Sequence, residues 1–175
     1  MGDEGNDCLL SVDGTHSLSP QYGKKWYSHK FKHSGLRYEV ALCINTGWIC
    51  WISGPWNPGC WNDLEMFCSS LMTFLEPFER DEANDGYLGE AALKVRCPKC
   101  ITVPEERKAM MSKVRNRQET INKRFKDWAM LDQQFRHDLK LHCDVFAAIA
   151  VFKQIVIQHN GEELFQVEYS DQMLE

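Results

Sequence analysis

The stretch that narrows the choices most is Leu9-Leu10-Ser11-Val12-Asp13-Gly14-Thr15-His16. Its leucines and valine read as a buried strand, and an acid follows them directly, with Gly14 as a strand breaker. Such a run delivers a carboxylate to the open edge of a sheet. Asp-Gly is also a common turn pair, so a solvated turn aspartate stands as the alternative on these residues alone. What weighs between the two is where the later acids fall.

Downstream, Lys24–His33 alternates as a half-exposed strand, Tyr38–Asn45 reads as the next strand and Trp48–Ser53 as a third, a β-meander beginning at Asp13. Gly54-Pro55-Trp56-Asn57-Pro58-Gly59 is too irregular for a helix or strand to cross. Asn62 caps a helix whose apolar face is Leu64, Phe67, Leu71, Phe74 and Leu75, with Asp63 in its first turn. There Asp63 can be simple helix-dipole chemistry. Phe78–Asn84 reads as a short strand ending in Asn84-Asp85-Gly86, and Leu88–Pro104 as loop. Pro104-Glu105-Glu106 opens a long helix with Met110, Val114, Ile121, Phe125 and Trp128 on one face. Arg115, Glu119, Asn122 and Lys126 form a polar stripe on another, which i,i+4 pairing on a solvated face would also explain. Asp138–Gln158 reads as a buried helix, apolar nearly all round, and Leu164–Tyr169 as a tail strand. The longest apolar run, Val145–Phe152, falls short of the roughly 20 residues that span a bilayer.

The net charge of −5 argues against a nucleic-acid binder on average, but the charge is unevenly spread. Between Gly14 and Tyr38 lie Lys24, Lys25, Lys30, Lys32 and Arg37 and no acid. Basic surfaces beside acidic strand ends suit a polyanion that meets metal-binding carboxylates. The eight cysteines are scattered, with no secretory signal before them, and read as reduced thiols of an intracellular protein. Cys97 and Cys100 have zinc-knuckle spacing without a clear second pair, His137, His142 and Cys143 being conceivable partners. His29 and His33 could contact phosphate or simply belong to a basic strand face.

Four pieces, taken together, resemble the DDE superfamily endonuclease domain, most nearly that of PIF/Harbinger-like transposases and their bacterial insertion-sequence relatives. Val12-Asp13-Gly14-Thr15-His16 is similar to the family's first acidic motif. Gly54 to Asp63 is similar to its glycine-rich loop ending in aspartate, and Ala83-Asn84-Asp85-Gly86-Tyr87 to its second acidic motif. Arg115, Glu119 and Lys126 are spaced as in its helix signature. These span Val12 to Lys126 in the family's order.

The resemblance implies an α/β fold, an RNase H-like mixed sheet flanked by helices, as a single endonuclease-like domain over 1–175. Its catalytic core would be about 8–131 and its C-terminal helix about 138–158, with the N-terminal DNA-binding domain of relatives absent. It implies a metal-dependent DNA endonuclease, a transposase-derived nuclease that hydrolyses phosphodiesters with two Mg²⁺ or Mn²⁺ ions. Asp13, Asp85 and Glu119 would be catalytic, and Asp13, Asp63, Asn84, Asp85 and Glu119 would hold metal. Lys24, Lys25, Lys30, Lys32, Arg115 and Lys126 would bind DNA. Asn84 stands where relatives usually carry aspartate, and Asp85 can replace it only if the strand has already turned. Ser112 replaces a tyrosine that often precedes the helix signature. The alternative is a catalytically impaired, domesticated domain that binds DNA or a protein. The expected partner is DNA and no membrane, with room for a homo-oligomer or a separate DNA-binding protein. The expected location is nuclear in a eukaryotic host, otherwise intracellular.

Overall fold

The computed structural model describes residues 8–77, 79–89, 94–99 and 105–160. Its centre is β1 (Cys8–Leu18), which pairs antiparallel with β3 (His33–Cys43) on one side and parallel with β5 (Arg80–Ala83) on the other. The sheet continues through β4 (Ile49–Trp56), antiparallel on the far edge of β3, and β6 (Val95–Arg96), parallel to β5. The two-residue β2 (Tyr27–Ser28) pairs with the start of β3. The fold is thus α/β, a six-stranded mixed sheet flanked by helices.

Two sequence expectations about strands fail here, for one reason. Gly14 does not end β1, and Gly54-Pro55 does not end β4. Both stretches are held in the ladder by β3: Gly14 sits opposite Glu39, and Trp56 opposite Arg37. A Cβ on Gly14 would come within 2.7 Å of Asp63 Oδ1, so this glycine makes room for a side chain rather than a turn. Around Pro55 the ladder shifts register between Arg37 and Glu39 and so accommodates the missing N–H. The expected strand over Lys24–His33 is instead a 3₁₀ turn at Lys24–Trp26, the short β2, and a tight turn into β3.

Side chains alternate across the sheet, and each face buries its own cluster. On one face Leu36, Tyr38, Val40 and Leu42 of β3 meet Ile121 and Phe125 of α2 (Glu105–Lys126), Leu131 of α3 (Ala129–Asp132) and Phe146, Ile149 and Ile157 of α4 (His142–Asn160). The Tyr38 and Phe146 rings stack at 3.9 Å, and the Tyr38 hydroxyl bonds His142 Nδ1 at 2.8 Å, which ties α4 to the central strands. On the other face Val12, Ala41, Ala83 and Val95 pack on Phe67 of α1 (Asp63–Ser69), Leu71 and Tyr87. α1 starts with a reciprocal capping box between Asn62 and Glu65, both bonds 2.8 Å. Asn62→Ala removes one half of it and should cost about 1 kcal/mol. The check is a lower urea midpoint at unchanged slope.

α4 departs from its sequence reading. It buries one face only, and Val151, Phe152, Ile155 and Val156 of the other are each about half exposed. The segment Leu139–His159 is also long and apolar enough, by length and composition, to cross a membrane, although its unbroken apolar run is only Val145–Phe152. Leu164–Tyr169 lies outside the described residues.

Candidate active site at the end of β5

The site follows from how α2 lies along β1. Ser11 Oγ donates to Gln118 Oε1 at 2.9 Å, and Gln118 Nε2 donates to the Val40 carbonyl at 2.9 Å. Two residues along β1 advance about 6.6 Å, and four along α2 about 6 Å. The next same-face residue, Asp13, therefore meets Asn122, whose Nδ2 donates to Asp13 Oδ2 at 2.9 Å. β5 stops at Ala83, opposite Val12, so Asp13 projects just past the end of its parallel neighbour. The carboxylate does reach a sheet edge, but one made by the end of β5, since β1 itself continues.

Asp13 and Glu119 line one cleft of about 460 Å³, together with Lys30, Asn122, Lys123 and Lys126. Its further wall is His16, Phe31 and His33. Burial pushes the Asp13 carboxyl up to about 6; Lys30 pulls it down, and the charges of Asp63 and Glu119 add to the push. Burial lowers Lys126 to about 8, with Asp132 working against it, and its ammonium donates to the Leu131 carbonyl at 3.1 Å. His16 is buried beneath Phe31, the rings stacked at 4.9 Å, and neither ring nitrogen has a hydrogen-bond partner. Burial, reinforced by the charges of His33, Lys126 and Arg37, lowers this imidazole to about 3, so it is neutral at neutral pH.

The other acids expected at the site are placed differently. Asn84 Nδ2 donates to Asp13 Oδ1 at 2.8 Å, while its Oδ1 accepts from the Gly86 N–H at 2.7 Å. The backbone bond orients the amide, so Asn84 offers Asp13 a donor and keeps its oxygen for the turn. Asp85, expected to be catalytic and metal-binding, turns to Lys99, with 3.3 Å to the ammonium and 3.3 Å from the Lys99 N–H. Successive residues leave a strand end in different directions, which is why Asp85 does not take the place that Asn84 occupies. Asp63 packs against Gly14 and Gly86, on the face of β1 opposite Asn122, and pairs with Arg37 Nη1 at 3.5 Å. It reaches Asp13 as a charge and is already matched by a guanidinium.

Of the expected DNA-binding residues, Lys30 and Lys126 line the cleft. Lys24 lines a second cavity with Tyr22, Tyr27 and His29; Lys25 lies over the Trp26 ring at 4.9 Å; Lys32 is exposed on the turn before β3. Arg115 is half-buried on α2 and is not among the residues that line the cleft. Cys97 is buried, its thiol donating to the Asn84 carbonyl at 3.2 Å, and Cys100 lies outside the described residues. Lys123, Phe31 and Asp132 were missed by sequence reasoning. Lys123 follows Asn122 of the stripe, and the helix period alone could have placed it on the cleft rim.

Among the described residues, no group of three or more His, Cys, Asp or Glu side chains stands close enough to hold a metal ion. Two ions are poorly served by the described donors at the expected positions, because the second acidic position is an amide donor and Asp63 and Asp85 pair with Arg37 and Lys99. One ion fits better: Asp13 and Glu119 supply carboxylates, and Asn122 Oδ1 is a buried oxygen with no hydrogen-bond partner. Compared with protein-family models, with curated proteins and with solved structures, the chain matches none.

Proposed function

We propose that this cleft is the DNA phosphodiester site of a metal-dependent, transposase-derived endonuclease of the DDE type. The observation that carries the reading is Asp13 in a cleft shared with Glu119 and rimmed by Lys30, Lys123 and Lys126. Asp13 and Glu119 would hold a divalent ion, Mg²⁺ or Mn²⁺. Such an ion, when bound, supplies an ionised water and offsets charge on the leaving oxygen. The lysines neutralise the phosphates on either side and set the strand's path. Asn122, fixed to Asp13 and one turn from Glu119, positions the first carboxylate relative to the second. At neutral pH Asp13 is ionised; below about pH 6 it takes a proton, and metal binding should weaken as the proton competes.

Asn84 favours a second reading, a descendant that keeps the basic cleft and binds DNA or a protein but cuts weakly or not at all. An amide donor adds no negative charge against a divalent ion. In a eukaryotic host either form would act in the nucleus.

Calorimetry with Mn²⁺, run beside duplex binding by fluorescence anisotropy, separates the two. For the endonuclease, Mn²⁺ binds the unaltered chain, Asp13→Ala abolishes the heat, and duplex is nicked only by the unaltered chain. No Mn²⁺ heat with persisting DNA affinity would move the assignment to the second reading. Absence of both would remove DNA from the account.

A further inference from the structure

The segment between β1 and β3 carries an arrangement that the reaction alone does not require. β2 and the start of β3 form a short hairpin in which Tyr27 pairs with Ser34, and Ser28 with His33. Alternation puts Tyr27 and Ser34 on one side and Ser28 and His33 on the other, and the turn at 29–32 then carries His29 to the first side and Phe31 to the second. The two sides line different cavities. Phe31, His33 and Lys30 wall the acid cleft of about 460 Å³. Tyr22, Lys24, Tyr27 and His29 wall a second cavity of about 670 Å³.

The tip between them is held firmly. The Lys32 N–H donates to the Ser28 carbonyl at 2.8 Å, the Phe31 N–H to Ser28 Oγ at 3.3 Å, and Lys32 adopts the left-handed conformation with φ 62°. Lys30 and Lys32 stand exposed on it, and Lys30 Nζ lies 5.5 Å from the Phe31 ring centre. Aromatic faces are presented on both sides: Phe31 is 38% exposed and braced from behind by His16, and Tyr22 is 88% exposed.

Each cavity has the volume of a small-molecule pocket, room within it for roughly one or two nucleotides. Aromatic platforms interleaved with lysines are what unpaired nucleic acid takes, because any base can stack while its phosphates meet cations. We infer that the Tyr27–Ser34 hairpin parts the two strands of a DNA end. The strand to be cut enters the acid cleft unpaired across Phe31, and its complement passes Tyr22, Tyr27 and His29. This rests on the DNA reading of the cleft and adds what form of DNA it accepts.

The test compares four labelled DNAs of one sequence, with metal withheld: a blunt duplex, a fork with both arms unpaired, and two such forks with 2-aminopurine in one arm or the other. Expected is binding of the fork about tenfold tighter than the duplex, the size of one lost stacking contact. The probe in one arm should change its fluorescence through Phe31, and the probe in the other through Tyr22. Phe31→Ala should then silence the first probe only and Tyr22→Ala the second only, with thermal midpoints as in the unsubstituted chain. Phe31→Tyr keeps a ring and should restore the first signal, which a mere folding defect would not allow. Equal binding of fork and duplex, or probe signals indifferent to both substitutions, would overturn the strand-parting role and leave the DNA site standing. Failure to bind any of the DNAs would remove both.

Discussion

Raising the pH from about 6.5 to about 8 should destabilise the folded chain by about 2 kcal/mol, because two buried acids hold protons that the unfolded chain has lost. Glu39 and Asp81 lie in neighbouring parts of the sheet and have little or no exposure. Burial pushes Glu39 up to about 7; the Ser70 hydroxyl, donating at 2.8 Å, holds it down somewhat, and the charge of Asp63 adds to the rise. Burial pushes Asp81 up to about 8, with Glu39 and Glu79 adding to it and Lys94 opposing. Neither oxygen of Asp81 has a hydrogen-bond partner.

Both folded-state values lie above the unfolded ones. Stability is therefore full at low pH and falls as pH rises towards the folded values. Each decade of pH over which only the folded form keeps a proton costs about 1.4 kcal/mol. His16 and His142, both lowered by burial, are neutral in the fold but half-protonated in the unfolded chain at about pH 6.5, so as the unfolded imidazoles lose that proton they offset part of the loss, together under ~1 kcal/mol. Lys126, lowered to about 8, begins to oppose it only at the upper end. For a chain of this size the loss is a fall in melting temperature of about 4–8 °C. Asp81→Asn should flatten most of that slope and raise the melting temperature at the alkaline end. A melting temperature that is constant or climbs over the interval would mean that neither acid is protonated in the fold.

These two acids also mark where the sequence stopped being legible. In a strand, an acid among apolar residues reads as a solvent-facing position, and nothing in Arg80-Asp81-Glu82-Ala83 says that both sheet faces are covered there. The cover comes from α1 and the turn after it on one face and from α2, more than twenty residues further on, on the other, and only their docking makes Asp81 a buried group. The helix period, by contrast, is local. Glu119, Asn122 and Lys126 recur at three and four, and that alone put them on one face, which the fold lays along β1. Gly14 lay between these cases. A glycine after an aspartate announces a turn locally, whereas here it answers a tertiary demand, the space taken by Asp63. α4 was misjudged for a similar reason. Its composition is apolar all round, but the sheet offers only one surface to pack against, and Val151, Phe152, Ile155 and Val156 are left over.

Asn84→Asp should produce the largest functional change, giving the proposed metal site a second close carboxylate. The substitution is nearly isosteric and spares the local structure, since aspartate caps a turn as well as asparagine does and can accept the Gly86 N–H in the same way. What changes is the atom that faces Asp13. A donor 2.8 Å from Asp13 Oδ1 becomes a carboxylate oxygen at the same place. Without metal the two carboxylates cannot both stay ionised, so the variant should melt lower than the unsubstituted chain at neutral pH and recover as the pH is lowered. With Mn²⁺ the order should reverse. A ligand that binds only the folded form adds about 2.7 kcal/mol at one hundred times its dissociation constant, so millimolar Mn²⁺ should raise the variant's melting temperature well beyond any rise in the unsubstituted chain. Nicking of DNA should rise with it, by about a hundredfold if Asn84 is the only defect, since that corresponds to about 2.7 kcal/mol off the barrier. A variant that stays indifferent to Mn²⁺ would show that Glu119, free at the edge of the cleft, does not close on an ion held by Asp13. The proposal would then move to the second reading, a cleft that binds DNA or a protein without cutting.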